Sequence, residues 1–320
     1  MFKNFMKWMI LLTVIISFSS DSWFIWWLMM ELNLLMFIPV LNYKKIINSN
    51  CMISYFVIQS FSSTLFFLAS LNLKLTNLHM FELLIMTSMM IKLAVIPFHF
   101  WLTNMSEMID FNTLFLILTI QKMIPLFILT SLNVKILVIF ALISSIMSSL
   151  LIFNLKMMKK ILIYSSISHQ GWMISLILVK SNFWLIYMMI YSMLIYKILN
   201  LLKKNNFNSP LNFMFAKNLF SSKISLSMLM LSLGGMPPFL GFFMKLISIF
   251  LIMKMSKMLI MILIISSMMN IFIYIRMISP NLFMNLMNLK NLIVNKSSLK
   301  NVILNINLLI SIFIISLTIM

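Results

Sequence analysis

Four charged side chains interrupt the long apolar stretches of this sequence: Glu31, Lys92, Lys122 and Lys245. A charge at the centre of a membrane-spanning helix opposes insertion by about 2.5–3.5 kcal/mol, and residues of this kind usually mark an ion or proton pathway. One carboxylate and three amines can take up, hold and release protons. The residue types and their positions therefore predict proton transfer at buried sites.

The depth of these residues separates them from charges that simply reach the membrane surface. Glu31 is the tenth residue of an apolar stretch that begins at Ser22, which places it roughly 14 Å deep at a rise of 1.5 Å per residue. From Lys122 the nearest helix end is about 15 Å away, and a lysine side chain spans only roughly 6 Å. Simple snorkelling to the headgroups therefore explains neither residue.

His169 and His99 are further polar groups in apolar surroundings. Either imidazole could relay protons because histidine titrates near neutral pH. Either could equally do no more than hydrogen-bond a loosened helix. We treat His169 as a candidate relay residue and keep both interpretations open.

The composition predicts that lipid surrounds the chain. Of the 320 residues 62% are hydrophobic and 9% are charged, with a mean hydropathy of +1.09, whereas a soluble domain is about half apolar and a quarter charged. The single cysteine excludes an internal disulfide, a cysteine-ligated zinc site and an iron–sulfur cluster. We therefore expect no metal or cofactor in this chain. The net charge of +19 comes from lysines scattered between apolar stretches, so we expect no nucleic-acid partner.

The apolar stretches predict an all-α polytopic membrane protein with about eleven transmembrane helices, because a bilayer about 30 Å thick needs roughly 20 apolar residues per helix. The predicted spans are Phe5–Ser20, Ser22–Leu41, Cys51–Leu71, Leu78–Trp101, Phe111–Ser131, Val134–Phe153, Ile161–Val179, Asn182–Leu202, Ile224–Met253, Met258–Ile278 and Val302–Met320. The first span follows Lys3 and Lys7 and could instead be a signal peptide, but no small-residue cleavage site follows it.

Basic residues outside the spans divide unevenly between the two sides of the predicted bundle. When the spans are counted alternately, fifteen Lys and Arg fall on the side of the N-terminus and five on the other side. Basic loops favour the inner side of a membrane. We therefore expect the N-terminus inside and, after eleven crossings, the C-terminus outside.

Helix breakers predict two interrupted helices. Three of the four glycines and two of the seven prolines lie within Gly234–Gly241, and Pro97 interrupts the fourth span. Each break lies near a lysine, Lys92 or Lys245, a pattern that inverted-repeat transporters show at their ion sites. Pro125 is expected to bend a third helix.

Five segments carry a family resemblance: Trp27–Pro39 (WLMMELNLLMFIP), Lys92–Trp101 (KLAVIPFHFW), Gln121–Pro125 (QKMIP), Lys160–Trp172 (KILIYSSISHQGW) and Leu231–Pro238 (LSLGGMPP). In this order they resemble the subunit 2 family of mitochondrial NADH–ubiquinone oxidoreductase, respiratory complex I. Members of that family are antiporter-like, proton-pumping subunits. The five segments together span most of the chain, which makes the resemblance specific.

The resemblance implies roles for the residues singled out above. It implies an inverted-repeat antiporter-like fold in which Glu31 pairs with Lys92, Lys122 is the central lysine, and Lys245 follows the second break. It also implies that other membrane-arm subunits, including neighbouring antiporter-like subunits, and lipids surround the chain. The implied location is the mitochondrial inner membrane, with the N-terminus in the matrix and the C-terminus in the intermembrane space. NAD, FMN, iron–sulfur clusters and ubiquinone are implied in the parent complex only.

Within a single transmembrane domain, 1–320, we expect a first-repeat region at 22–153, a second-repeat region at 154–278 with its broken helix at 224–253, and a C-terminal helix at 301–320. The hypothesis is a core membrane-arm subunit that moves protons along a midplane row of buried Glu and Lys, driven by redox chemistry in other subunits. Two alternatives stay open: a stand-alone cation/proton antiporter and a structural membrane scaffold.

Overall fold

The computed structural model describes residues 2–41, 47–76, 78–132, 135–209, 220–253 and 255–288, and all regular secondary structure in these residues is α-helix. The helices are α1 (Phe2–Ser19), α2 (Trp23–Leu41), α3 (Ile47–Thr76), α4 (His79–Leu93), α5 (Phe100–Met105), α6 (Phe111–Leu118), α7 (Ile120–Thr130), α8 (Leu137–Ile152), α9 (Met158–Leu178), α10 (Phe183–Lys204), α11 (Phe220–Gly234), α12 (Leu240–Ile252) and α13 (Lys257–Asn288). The predicted all-α fold is confirmed.

The described helices are those of a multi-pass membrane protein. Seven segments among them are long and apolar enough to cross a membrane, and α8, α11 and α12 contain shorter apolar helices. Ten of the eleven predicted spans fall on described helices. The eleventh, Val302–Met320, lies outside the described residues.

Two helices are longer than the hydropathy predicted. Helix α3 occupies Ile47–Thr76 and not only Cys51–Leu71, and α13 occupies Lys257–Asn288 and not only Met258–Ile278. Hydropathy marks the part of a helix that suits lipid, whereas helical hydrogen bonding continues into the polar residues beyond it. The extra turns are therefore consistent with the same crossings.

Helix α9 is the centre of the bundle. Every residue from Ile161 to Ile177 is buried, which explains how a helix with several serines, a histidine and a glutamine can lie within a membrane protein. Helix α8 packs closely beside it: a Cβ at Gly171 would lie 2.9 Å from the carbonyl oxygen of Ala141 and 3.1 Å from Cβ of Ser145. Small residues thus bring these two helices together.

The first half of the first broken helix ends earlier than the position of Pro97 predicted. Helix α4 stops at Leu93, and Ala94 takes a left-handed conformation with φ 55°. The amide of Ala94 donates to the carbonyl of Ile91, and the amide of Val95 donates to the carbonyl of Met90, both at 3.1 Å. This pair of bonds is a Schellman motif. The break therefore begins three residues before Pro97, because the proline disfavours helical conformation in the residue before it and supplies no amide donor.

The second broken helix ends in the same way. Helix α11 stops at Gly234, and Gly235 has φ +89°. The amide of Gly235 donates to the carbonyl of Ser232 at 3.1 Å, and the amide of Met236 donates to the carbonyl of Leu231 at 3.2 Å. Pro238 follows Gly235 by three residues, as Pro97 follows Ala94. The two breaks therefore share one backbone design.

The fifth predicted span, Phe111–Ser131, is divided into α6 and α7 at Thr119, which has φ −121° and ψ −79°. The Thr119 hydroxyl donates to the Phe115 carbonyl at 2.7 Å, a contact that bends helices. Pro125 lies within α7 and not at the division. The predicted distortion is present, but it lies one to two turns before the proline.

Candidate functional site

Two of the four candidate residues, Lys122 and Lys245, point into protein. The side chain of Lys122 on α7 is 3% exposed and that of Lys245 on α12 is 6% exposed. Lys92 and Glu31 are half-buried. The interior of the bundle therefore surrounds the amines of Lys122 and Lys245, and neither points outward into lipid.

Lys92 lies in the last turn of α4, immediately before the first break. The carbonyl end of a helix carries partial negative charge, which stabilises a nearby ammonium group. Lys92 also lies within electrostatic range of the Glu31 carboxylate. Glu31 and Lys92 are therefore close enough to interact electrostatically, and their direct pairing stays a prediction of the resemblance.

Glu31 on α2 is held from the neighbouring helix. The hydroxyl of Ser63 on α3 donates a short hydrogen bond to the Glu31 carboxylate. The same hydroxyl is within 2.8 Å of the Ser60 carbonyl of its own helix. The carboxylate therefore has a polar partner as well as the charge of Lys92.

Lys245 contacts the second break directly. Its ammonium group donates to the carbonyl of Gly234, the last residue of α11. The lysine chain also passes over the following glycine, because a Cβ at Gly235 would lie 2.9 Å from Cδ of Lys245. Both breaks thus have a lysine near a helix end: Lys92 lies in the last turn of α4, and Lys245 reaches the end of α11 from α12.

Lys122 is bound by the central helix. Its ammonium group donates to the hydroxyl of Ser166 on α9 at 3.0 Å. Ser166 in turn donates to the carbonyl of Ile163 at 2.6 Å. Helix α9 thereby holds the central lysine inside the bundle.

Two small cavities lie beside Lys92, and one of them lies between Lys92 and Lys122. Each has a volume of about 10 Å³, which is about the space that one water molecule needs. Both cavities contact Lys92, Tyr55, Gln59 and Gln121, and one of them also contacts Lys122. The space between the two lysines is therefore polar and large enough for single waters.

A chain of amide and hydroxyl groups crosses the same region. Gln121 donates to Asn33 at 2.9 Å, and the Tyr55 hydroxyl donates to Gln121 at 3.4 Å. These contacts join α2, α3 and α7. Polar side chains thus connect the helix of Glu31 with the helix of Lys122.

His169 on α9 lies on the other side of Lys122. It is 3% exposed and lies within electrostatic range of both Lys122 and Lys245. Its Nδ1 is 2.7 Å from the hydroxyl of Tyr187 on α10, and the Tyr191 ring is 5.2 Å from the imidazole. The structure therefore places His169 near both lysines, with Tyr187 as a direct partner.

A further amide lies beside this histidine. Asn270 on α13 donates to the hydroxyl of Ser168 at 2.9 Å. Its Oδ1 is buried and, within the described residues, has no hydrogen-bond partner. A buried acceptor of this kind usually bonds to ordered water.

His99 occupies the first break and is also buried. Its ring lies 5.5 Å from the ring of Tyr164 on α9, and its Nδ1 has no partner within the described residues. Unlike His169, His99 has no electrostatic interaction with Lys122 or Lys245.

Sequence reasoning missed the uncharged polar groups. Asn33, Tyr55, Gln59 and Gln121 were not singled out, although Asn33 follows Glu31 by two residues and Gln121 precedes Lys122. The sequence signal that could have identified these residues is an amide side chain inside an apolar span and close to a buried charge.

At one end of the bundle the loop before α6 is fixed by charge. Glu107 forms an ion pair with Lys160 on α9. The hydrogen bond from Lys160, and then its positive charge, hold the pKa of Glu107 below its usual value. Lys159 donates to the carbonyl of Ile109 at 2.6 Å. Within the described residues, no three His, Cys, Asp or Glu side chains lie together as a possible metal site.

Residues 20–270 match the family model described as NADH:quinone oxidoreductase/Mrp antiporter, transmembrane. The chain is 46% identical over 282 residues to NADH-ubiquinone oxidoreductase chain 2 of Rhipicephalus sanguineus, which covers 88% of this chain and 90% of the relative. It is 36% identical over 141 residues to the chain 2 protein of Lumbricus terrestris, covering 43% of this chain and 42% of that relative.

Solved structures share the fold. A chain of respiratory complex I from Thermus thermophilus superposes with a TM-score of 0.76 at 18% identity, covering 84% of this chain and 68% of that chain. A chain of the Mrp complex from Dietzia superposes with a TM-score of 0.72 at 13% identity, covering 84% and 58%. The antiporter-like fold is thus confirmed, and the chain belongs to the NADH-ubiquinone oxidoreductase chain 2 family, within the transmembrane family that complex I shares with Mrp antiporters.

Proposed function

We propose that this chain moves protons across the inner mitochondrial membrane as a membrane-arm subunit of NADH:ubiquinone oxidoreductase. The proposed path consists of Glu31, Lys92, Lys122 and Lys245, with His169 as a relay between the last two. The observation that carries the proposal is the continuity of polar groups along this row. A water-sized cavity contacts both Lys92 and Lys122, and His169 lies within electrostatic range of Lys122 and Lys245.

The burial of the lysines supports proton exchange. Removal from water disfavours the charged ammonium form, so that a buried lysine can give up its proton at a small cost. Lys122 donates a hydrogen bond to the Ser166 hydroxyl and Lys245 donates one to the Gly234 carbonyl, so each amine is kept in a fixed position. Such a group is suited to load a proton in one state of its neighbours and release it in another.

Coulomb interaction couples the sites. Two unit charges about 10 Å apart at an effective dielectric constant of about 20 interact by roughly 1.7 kcal/mol, which changes a protonation equilibrium more than tenfold. When the Glu31–Lys92 pair opens, Lys92 loses its stabilising anion and its charge repels the charge of Lys122. The proton on Lys122 then moves through the His169 region to Lys245, and from there to the opposite side of the membrane.

The shared design of the two breaks supports two repeats, at 22–153 and 154–278. The first would hold Glu31, Lys92 and Lys122, and the second would hold Lys245. The oxidation of NADH and the reduction of ubiquinone, with their FMN and iron–sulfur clusters, belong to other subunits in this proposal. Neighbouring antiporter-like subunits are the proposed partners, with the N-terminus in the matrix and the C-terminus in the intermembrane space.

The test is Lys122→Met in the assembled enzyme, with Lys135→Met as the matched control. Lys135 is an exposed loop residue, whereas Lys122 is buried. We expect pumping coupled to NADH oxidation to fall about a hundredfold or more for Lys122→Met, the size of a lost acid–base group, and to stay unchanged for the control. Proton uptake and NADH oxidation are measured together in sealed vesicles.

Two other outcomes would reject the proposal in favour of its alternatives. Unchanged turnover and pumping with altered assembly would identify the buried charges as structural, as in a scaffold. Proton flux through the isolated chain that requires Na⁺ or K⁺ would identify a stand-alone cation/proton antiporter.

A further inference from the structure

A basic cavity opens at the end of the bundle where α1 begins and α10 ends. Its volume is about 450 Å³, and four lysines and one aspartate contact it. These residues are Lys3, Lys7, Lys159, Lys203 and Asp110. Three asparagines, Asn112, Asn206 and Asn208, add amide donors. The excess of positive charge favours an anionic ligand with several oxygen acceptors, such as a phosphate group.

The cavity is a pocket between helices and not a flat surface. Lys203 on α10 donates to the Asn112 side chain on α6 at 3.3 Å, which joins two of its walls. Lys159 donates to the backbone of the loop before α6 and lies 5.2 Å from the centre of the Phe111 ring. The basic side chains of different helices are therefore held around one space.

An apolar crevice continues from this cavity along the same helices. Its volume is about 470 Å³, and its walls come from α1, α6, α7 and α10. Tryptophan, phenylalanine, leucine, isoleucine and methionine side chains form nearly all of its surface, among them Trp8, Ile15, Phe115 and Met189. Trp8, Ile15 and Met189 are 68%, 63% and 57% exposed, so the crevice is open on its outer side.

The two spaces follow each other along individual helices. On α1, Lys7 contacts the cavity and Leu11 contacts the crevice. On α6, Phe111 contacts the cavity and Phe115 contacts the crevice. Residues four apart are neighbours on one helix face, about 6 Å along the axis. The basic cavity and the apolar crevice thus lie next to each other along α1 and α6.

We propose that this cavity and crevice together bind an anionic phospholipid, with its phosphate among the lysines and an acyl chain in the crevice. Basic pockets between transmembrane helices suit anionic headgroups, and an apolar groove of this depth suits a hydrocarbon chain. The lipid fills the space between α1 and the α6–α10 pair and ties α1 to the rest of the bundle. This site contains none of the residues of the proposed proton path.

The experiment is native mass spectrometry of the full chain with dioleoylphosphatidylglycerol and dioleoylphosphatidylcholine, which share acyl chains and differ in headgroup charge. We expect the anionic lipid to bind at least tenfold more tightly. The variants Lys7→Gln and Lys203→Gln should each lower its affinity about fivefold, since one lysine near a membrane surface contributes about that factor. The matched control is Lys204→Gln, because the neighbouring Lys204 is exposed and does not contact the cavity.

A second arm tests the crevice and separates a lipid from a free phosphate. Ser192→Trp fills the crevice from α10 and should lower binding of dioleoylphosphatidylglycerol about tenfold while leaving inorganic phosphate unaffected. Displacement of the lipid by excess glycerol phosphate would overturn the proposal in favour of a phosphate site. Equal binding of the two lipids, or equal effects of Lys203→Gln and Lys204→Gln, would also overturn it.

Discussion

The two broken helices share one backbone design and place their lysines on opposite sides of it. Each first half ends in a Schellman motif, and each proline follows the left-handed residue by three positions. Lys92 precedes the first break by two residues, whereas Lys245 follows the second by ten. The same backbone design therefore accommodates a lysine in either half of a broken helix.

The position of the lysine determines which type of residue can take the left-handed conformation at each break. At the second break the chain of Lys245 runs over Gly235, where a Cβ would collide with it. At the first break the left-handed residue is Ala94, with φ 55°. The buried carbonyl of Leu93 accepts a hydrogen bond from Gln170 of α9 at 2.9 Å and not from a lysine.

Of the substitutions that test this comparison, Gly235→Val should have the largest effect on stability and on pumping. A β-branched residue at φ +89° costs about 1–3 kcal/mol in backbone strain, and the new side chain displaces Lys245. We expect a loss of at least about 3 kcal/mol of stability together with a loss of coupled pumping. Thermal unfolding in detergent and proton uptake in vesicles measure the two effects. Retention of both would show that Lys245 does not need its contact with the break.

Gln170→Leu should weaken the first break alone. The change leaves the buried Leu93 carbonyl without its amide donor, which costs about 1–3 kcal/mol. The matched control is Ser175→Ala on the same helix, where the hydroxyl bonds only to the Trp172 carbonyl of α9 itself. Equilibrium unfolding should show a larger loss for Gln170→Leu than for the control, and equal losses would contradict the assigned cap.

The sequence predicted both breaks and the burial of Lys122 and Lys245, because prolines, glycines and charges are rare in apolar spans. It did not predict that α4 ends at Leu93 and not beside Pro97, since the end depends on the hydrogen bonds of Ala94 and Val95. It also missed the polar groups around Gln121 and the partner of His169. Contacts between helices depend on how each helix is rotated about its own axis in the bundle, and hydropathy does not specify that rotation.

Ala94→Gly should raise the stability of the protein, whereas Gly235→Val should lower it. Glycine relieves the left-handed strain of alanine, roughly 1–2 kcal/mol, but gives back part of it through a more flexible unfolded chain. The net expectation is a gain of up to about 1 kcal/mol, measured as a higher melting temperature with unchanged pumping. A clear destabilisation would mean that the alanine methyl group packs in a way that its conformation does not reveal.

The smallest effect concerns the loop that follows the first break. The pKa of Glu107 is lower in the folded protein than its ordinary value of 4.5 because of Lys160. Its contribution to stability is therefore present above pH 4.5 and is lost as the pH falls through the folded-state pKa. Lys160→Gln should lower the melting temperature slightly at pH 7, and the difference from the unchanged chain should disappear in acid. A difference that persists in acid would assign the effect to something other than this pair.

The most direct measurement of the central claim is a high-resolution density map of the assembled enzyme that locates ordered water around these side chains. We predict at least one water in each of the two cavities beside Lys92, one of which also contacts Lys122, and further waters within hydrogen-bonding distance of His169 or Asn270 on the way to Lys245. Empty cavities, and aliphatic side chains packed without gaps between Lys122 and Lys245, would contradict a proton path along this row.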